Sequence, residues 1–286
     1  MILNTLALAG ALLVGIQDTD TVFAAAGATR VDIEGASGEV IVRGWDRDQI
    51  RVRAEHSRRT SVDIRHRAGT VFLEAEGRNW TAIADFQIDV PSGMDISIEG
   101  FNVAVDVEGV GGGVEVSTIQ GDVRVVGGRG DVRIETVNGR VDLEDVDGQT
   151  EVSSPAGNMI FRNIGGELRV EAVGGSVRME NMRTNSADVS SVGGRIEYQG
   201  DIATGGEYYF GSHGGSINLV LPPGVGAEIN AASVMGRIRV NYPGAPQPER
   251  KDRLRFTVGD GSAEVDLETY GGTISIREPG GDRDRP

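Results

Sequence analysis

Carboxylate side chains are the most abundant groups in this sequence that could carry out chemistry. Two carboxylates that converge in a cleft can hydrolyse a glycosidic bond by general acid-base catalysis. The acids of the central part of the chain are Asp122, Asp131, Asp142, Glu144, Asp145 and Asp147. Most of them alternate with valine, so we expect them to point outward along strands and form a solvated face. A glycan-active enzyme is therefore the less favoured interpretation, and it would require residues 195–253 to bring acids into a groove.

Histidine and cysteine offer little for catalysis or metal binding. The chain has three histidines, His56, His66 and His213, and no cysteine. The absence of cysteine excludes a thiolate nucleophile, a disulfide and a cysteine zinc site. The serine motif G-x-S-x-G does not occur either. The sequence therefore predicts no catalytic, cofactor-binding or metal-ligating residue.

Three further motifs are candidate binding sites. Residues 127–131, Gly-Gly-Arg-Gly-Asp, approach the calcium repeat G-G-x-G-x-D-x-U-x, but their aspartate stands one position early. Arg129-Gly130-Asp131 also spells an integrin-type tripeptide, a coincidence that is expected in a chain rich in these residues. Trp45 and Trp80 are candidate binding aromatics, and we expect Trp45, at a strand end, to pack on the N-terminal strands. None of these motifs predicts a site.

The charge balance limits the classes of partner. The formal net charge is -15 and the sequence pI is about 4.7. Phosphate groups would be repelled by this charge, which argues against nucleic acid or an anionic membrane surface as the main partner. Cations and basic partners remain compatible with the composition.

The N-terminus resembles an export signal. Residues 2–16 are almost entirely apolar, and a run of three alanines follows at residues 24–26. We interpret residues 1–26 as a signal peptide. A transmembrane anchor is the alternative, but the apolar run is shorter than the roughly 20 residues that span a bilayer. The sequence thus predicts export to the periplasm or cell surface, without stable membrane insertion after cleavage.

Glycine recurs at a strict interval of nine residues in the centre of the chain. These glycines are Gly112, Gly121, Gly130, Gly139, Gly148, Gly157, Gly166 and Gly175. The residues two and four positions after each glycine are mostly valine, isoleucine or leucine, which is the alternation of a strand with one buried face. A third apolar position, seven residues after the glycine, is expected to point into the core at a corner. It is occupied by Ile119, Val137, Val146, Ile164, Val173 and Met182, and a later unit that opens at Asn185 after one inserted residue adds Val192.

Successive nine-residue units alternate in type, so the sequence also has a longer period of 18 residues. The residue six after the glycine is small in alternate units and mostly polar in the others, which indicates two strands per coil. The sequence therefore predicts an all-β fold, a β-solenoid with two short strands per roughly 18-residue coil and an antiparallel N-terminal cap that protects an open edge. We expect the signal peptide at residues 1–26, the cap at 27–101, the solenoid at 102–277 and a disordered tail at 278–286.

Several segments together resemble a known family. They are the opening GEVIVRGWDRDQIRVRAE, repeat units such as IQGDVRV and VNGRVDL, the Pro-x-Gly turns and the closing ETYGGTISI. They are similar to a bacterial exported adhesin-like domain of unknown function, the DUF4097 type, which is related to autotransporter adhesin head domains. The resemblance covers residues 29–277 and implies a β-solenoid located in the cell envelope. It implies no catalytic residue, because the family has no established active site.

The sequence favours an exported binding or adhesin-like module without catalytic activity. Its expected partner is a surface glycan or an envelope protein, bound by long polar sheet faces over several repeats. A periplasmic envelope scaffold or signalling accessory protein is the alternative function, and a glycan-active β-helix enzyme is the third.

Overall fold

The chain is described by a computed structural model that covers residues 16–77, 82–248 and 251–280. Within these ranges it contains strands and turns and no helix. No helix there is long and apolar enough to traverse a bilayer. The first strands are β1 (Ile16–Ala24), β2 (Arg30–Trp45), β3 (Gln49–Ser57), β4 (Thr60–Arg67), β5 (Thr70–Gly77), β6 (Ala84–Pro91), β7 (Asp95–Glu108), β8 (Val114–Gln120), β9 (Val123–Gly128), β10 (Val132–Asn138) and β11 (Val141–Ser154). The others are β12 (Met159–Arg162), β13 (Gly165–Ala172), β14 (Val177–Ser191), β15 (Ile196–Gly200), β16 (Glu207–Ser212), β17 (Ile217–Val220), β18 (Ala227–Ser233), β19 (Arg237–Asn241), β20 (Arg253–Val258), β21 (Ala263–Thr269) and β22 (Thr273–Arg277).

The strands stack in parallel as two facing layers, which confirms the predicted solenoid. Face A contains, in spatial order, the first half of β7, then β8, β10, the second half of β11, β13, the second half of β14, β16, β21 and β18. Face B contains the second half of β7, then β9, the first half of β11, β12, the first half of β14, β15, β17, β22 and β19. In the regular part each residue pairs with the one 18 positions later, as Val114 does with Val132. The inserted residue expected at Asn185 is the position where the register shifts between β13 and β14.

The last coils do not follow the order of the chain. Strands β18 and β19 form the end of the stack, and β20 returns antiparallel to β18. Strands β21 and β22 then insert between the coil of β16 and β17 and the coil of β18 and β19. The solenoid therefore closes with a chain reversal that the repeat pattern does not show.

The N-terminal part mixes antiparallel and parallel pairing. The antiparallel pairs β1–β3, β3–β6 and β4–β5 form the predicted cap. Strand β2, however, pairs in parallel with β7 from Arg30 to Arg43, so the parallel stack extends into the range expected to be cap alone. Strand β1 lies inside the range interpreted as a signal peptide. Residues 1–15, Trp80 and tail residues 281–286 lie outside the described residues, so the predictions made for them stay predictions.

The core is a narrow layer of aliphatic side chains between the two faces. Both inward positions of each central strand are buried, as Val132 and Ile134 show with exposed fractions of 1% and 0%. The inward positions predicted from the nine-residue glycine interval are therefore confirmed throughout the regular coils.

The two corners of each coil differ, and the prediction for the third apolar position is wrong at one of them. At the first corner Gly109, Gly127, Asp145, Asn163 and Asn181 have φ between 55° and 74°. This left-handed conformation turns the next side chain inward, so Val146, Ile164 and Met182 are buried as expected. At the second corner the corresponding side chains are instead exposed: Ile119, Val137, Val173 and Val192.

A buried hydroxyl group lies at the second corner of most coils, whereas Ala172 takes this position before Val173. Ser154 lies inside the corner, and its Oγ accepts a hydrogen bond from the backbone N–H of Gly157 at 3.1 Å. The same bond from a glycine three residues later is made to Ser191, Ser212, Ser233 and Thr269. The hydroxyl group satisfies a backbone donor and occupies the interior, and the residue after it faces solvent.

Two columns of glycine run through the stack and explain the nine-residue interval. One contains Gly112, Gly130, Gly148 and Gly166, and the other contains Gly121, Gly139, Gly157, Gly175, Gly194, Gly215, Gly272 and Gly236. In the second column each glycine lies directly against the carbonyl oxygen of its neighbour, and a Cβ atom would overlap that oxygen. Glycine is required there because the backbones of successive coils touch.

Neighbouring glycines test this requirement. We expect Gly175→Ala to destabilise the fold by about 3 kcal/mol, because its Cβ would collide with the Gly157 carbonyl oxygen. Gly174→Ala is the matched control, since its Cβ would lie 3.6 Å from the nearest atom, the carbonyl oxygen of Pro155. Urea denaturation followed by circular dichroism measures both variants. Equal midpoints for the two variants would contradict the close backbone contact.

A pair of valines in one coil tests the corrected corner. Val132→Asp places an unpaired charge in the core and should cost several kcal/mol, of order 3–5. Val137→Asp, at a position with an exposed fraction of 48%, should change stability by less than about 0.5 kcal/mol. Urea denaturation at low protein concentration distinguishes the two. A large decrease in the free energy of unfolding for Val137→Asp would mean that the side chain of Val137 is packed in the core.

Candidate binding surface

The predicted carboxylates point outward and do not converge in a cleft. Asp142 lies on face B, where Nη1 of Arg162 donates to its Oδ1 at 2.7 Å. Asp145 lies at the first corner and accepts a hydrogen bond from Asn163 at 2.9 Å. Asp122 is exposed at a turn, where its Oδ1 accepts a hydrogen bond from the backbone N–H of Arg140 at 2.8 Å. These acids are therefore distributed over separate coils, as a solvated face.

The other sequence candidates also lie apart. His56 is at the end of β3, and His66 is exposed at the end of β4. Asp131, the last residue of the Arg-Gly-Asp tripeptide, is exposed at the turn before β10. Trp45 ends β2, where its indole N–H donates to the carbonyl oxygen of Gln49 at 2.8 Å. In the three described ranges no group of three His, Asp or Glu side chains is arranged to hold a metal ion.

An exposed tyrosine on face A is the feature that the motif search missed. Tyr209 points outward from β16 between buried Tyr208 and Phe210. Its ring lies over Gly211, because a Cβ atom on that glycine would be only 2.6–2.9 Å from Tyr209 atoms Oη, Cε1 and Cζ. The phenol end of the ring thus occupies the space that a side chain at position 211 would fill, and we call this exposed ring the platform. The strand alternation in EYYFGS was the available signal, since it places Tyr209 and Gly211 on the same outward side.

Carboxylates surround this platform. Asp188 in the preceding coil and Asp266 in the next pair with Tyr209 across the sheet. The Tyr209 hydroxyl group donates to Oε2 of Glu268 at 3.4 Å. Partial burial raises the pKa of the Tyr209 phenol, and the charge of Glu268 raises it further. The phenol therefore stays protonated and acts as a hydrogen-bond donor beside several acceptors.

Shallow grooves flank Tyr209 on both sides. The groove toward the middle of face A is lined by Glu151, Glu167, Arg169, Asp188, Glu207, Glu264 and Asp266 among others. The groove toward the second corner is more apolar and is lined by Val173, Val192, His213, Val234, Arg253 and Tyr270 among others. Tyr209 contributes to both grooves, so an extended ligand could contact it from either direction.

The second corner itself forms a continuous exposed strip. We call it the corner strip and define it by nine residue pairs, one per coil. The pairs are Phe101-Asn102, Ile119-Gln120, Val137-Asn138, Pro155-Ala156, Val173-Gly174, Val192-Gly193, His213-Gly214, Tyr270-Gly271 and Val234-Met235. Within it the rings of His213 and Tyr270 are stacked, with centroids 4.9 Å apart and planes inclined by 1°. Strand spacing gives the strip a length of about 38 Å.

A comparison with protein families agrees with this architecture. The family model described as Toastrack DUF4097 matches residues 28–277. The chain belongs to the Toastrack DUF4097 family. The match confirms the expected family and includes β2 to β22, so the cap strands from β2 onward and the solenoid belong to one Toastrack domain. No curated protein matches the chain.

Three solved structures are similar to the chain, and each is named for an inferred role. A lipid binding protein from Parabacteroides distasonis ATCC 8503 has a TM-score of 0.52 and 10% identity, covering 91% of this chain and 96% of its own. An adhesin from Bacteroides fragilis NCTC 9343 has a TM-score of 0.47 and 12% identity, covering 92% and 97%. A cell adhesion protein from Clostridium sporogenes ATCC 15579 has a TM-score of 0.24 and 11% identity, covering 93% and 100%. At these identities the first structure supports the fold alone.

Proposed function

We propose that this protein is an exported, non-catalytic, adhesin-like binding module that holds a hydroxyl-rich glycan on face A at Tyr209. The observation that carries the proposal is the tyrosine ring over Gly211, surrounded by carboxylates. Flat aromatic faces pack on the apolar faces of sugar rings, and carboxylates accept hydrogen bonds from sugar hydroxyls. Such a surface binds without needing a nucleophile or a general acid in a closed cleft.

The charge of the surface restricts the glycan. Eight acidic side chains line the two grooves, against the basic Arg169 and Arg253. They are Glu151, Glu167, Glu171, Asp188, Glu207, Glu264, Asp266 and Glu268. A polyanionic glycan or a nucleic acid would be repelled. The expected ligand is therefore a neutral polysaccharide or one that contains free amino groups, and several successive coils would contact it at once.

The rigidity of the stack supports binding at a preorganised surface. Strand β16 is hydrogen-bonded on both sides, to β14 and to β21, so Tyr209 cannot move with a loop. A preorganised surface loses little conformational entropy when a ligand binds. The alternative function, an envelope scaffold, would use the same rigidity to hold a protein partner.

Replacing Tyr209 tests the platform. The probes are a neutral glucan, a deacetylated amino-sugar polymer and purified cell-wall polysaccharide, each used in affinity electrophoresis. We expect at least one to retard the protein, Tyr209→Ala to weaken that binding about tenfold, and Tyr209→Phe to retain most of it, because the ring face supplies the contact. Trp45→Ala is the control, since it removes another partly exposed aromatic ring, at the end of β2 and outside both grooves and the corner strip. Equal retardation of wild type and Tyr209→Ala would refute the platform, and binding of envelope proteins alone would favour the scaffold.

The location of the mature protein is a separate test. We expect it outside the cytoplasm, and an adhesin should be degraded when protease is added to intact cells. Cell fractionation with and without external protease measures this. Protection in the periplasm would favour the scaffold function, and recovery from the cytoplasm would contradict export.

A further inference from the structure

The corner strip has a composition unlike the rest of the protein. Charged residues make up 25% of the sequence, yet none of the strip's eighteen positions is Asp, Glu, Lys or Arg. Depletion of charge is the compositional mark of the core of a protein interface. Eight apolar side chains of the strip have exposed fractions between 46% and 72%. A stripe of this kind on every coil indicates a surface that another molecule covers.

We propose that the corner strip is the interface of a symmetric homodimer, in which the strips of two copies lie antiparallel. This proposal goes beyond the glycan-binding function and does not depend on it. A second copy is the one partner whose matching surface is known: it is uncharged and has the same length.

A gradient of side-chain size along the strip fixes the relative direction of the two copies. At one end the apolar residues are followed by Asn102, Gln120 and Asn138, and toward the other end by Gly193, Gly214 and Gly271. In an antiparallel dimer with its two-fold axis at Val173, Gln120 of one copy faces Gly271 of the other, and Asn138 faces Gly214. Gln120 and Asn138 then meet bare backbone, and Asn102 faces Met235 at the ends of the strip, whereas a parallel arrangement would place Gln120 and Asn138 against their own copies.

The area of the strip is sufficient for a stable dimer. Partly exposed side chains of these sizes present on the order of 700 Å² per copy, close to the roughly 800 Å² that each partner buries in a standard interface. The strip is also rigid, because the backbone of each corner is bonded to the next. Gly174 N–H donates to Pro155 O at 2.9 Å, and Gly193 N–H to Val173 O at 2.7 Å. Ordering the interface therefore costs little entropy.

The net charge favours an interface at the uncharged strip over one at the acidic sheet faces. Each copy carries a formal charge of -15, so two copies repel each other wherever their acidic faces meet. An uncharged strip along a corner lets the copies touch while the sheet faces project away. Dimerisation should therefore strengthen as salt is added, because screening weakens the remaining repulsion.

Sedimentation tests the dimer. The protein purified from the cell envelope in its processed form should sediment as a concentration-dependent dimer. Val173→Asp places two like charges beside each other at the two-fold axis and should raise the dissociation constant at least tenfold. The control is Val126→Asp, the same change at an outward-facing position of face B. Circular dichroism verifies that both variants are folded.

Single cysteines test the direction of the strips, since the chain has no cysteine of its own. Under mild oxidation Val173→Cys should form a disulfide-linked dimer, and Ile119→Cys alone should not. A mixture of Ile119→Cys and Tyr270→Cys chains should form mixed dimers. Self-linking of Ile119→Cys without that of Val173→Cys would refute the antiparallel arrangement.

Two further outcomes would overturn the proposal. A protein that remains monomeric up to high micromolar concentration at 0.5 M salt, a condition of roughly 4 Å screening length, does not use the strip for self-association. A monomer that binds neutral phosphatidylcholine vesicles, and loses this binding in Val173→Asp, would assign the strip to a lipid surface. The strip residues Val173, Val192 and Tyr270 also line the second-corner groove beside Tyr209, so a dimer leaves the other groove to the glycan. Tyr209→Ala lies outside the strip and should leave the dimer intact, so failure of the dimer and failure of the glycan-binding function are distinguishable.

Discussion

The close contact between the backbones of successive coils is the constraint on which the rest of the structure depends. Where the coils turn, the carbonyl oxygen of one glycine lies against the Cα atom of the next, as Gly157 and Gly175 do. No side chain fits between them, so glycine returns at every coil from Gly121 to Gly236 in one column and at the four coils from Gly112 to Gly166 in the other. The two columns are offset by half a coil, and this offset produces the nine-residue interval on the 18-residue period. The flat, tightly stacked faces follow from the same contact.

The chain turns in a different way at each of the two corners of the coil. This difference decides whether the side chain after the turn is buried or exposed. At one corner a left-handed residue such as Asn163 turns the following Ile164 into the core. At the other corner a buried Ser154 or Ser191 bonds the backbone and leaves the next residue outside. An apolar side chain on most coils is thereby presented to solvent along one straight line. Because the coils stack in register, the exposed corner residues of successive coils form a strip along the solenoid.

Face A combines this rigidity with polar chemistry. Its side chains are placed by hydrogen-bonded strands, so the relation between Tyr209 and the acids around it is fixed before any ligand arrives. Gly211 has a role here that differs from that of the column glycines. It leaves space above the sheet for a tyrosine ring, and the outward surface gains an aromatic platform among carboxylates. The proposed binding surface therefore requires no closed cleft.

The sequence by itself determined the inward positions of the strands, the coil length and the outward direction of acids such as Asp142. These properties depend on strand alternation and on glycine spacing, which are local and repeat many times. Only the tertiary structure decided that Val146 is buried and Val137 exposed, because burial at a corner depends on backbone φ and on which group fills the interior. It also decided that β21 and β22 insert before the coil of β18 and β19, and that Tyr209 lies over Gly211 next to Glu268. The strand insertion and the contact with Glu268 join residues far apart in the chain, and no local pattern specifies which distant strands become neighbours.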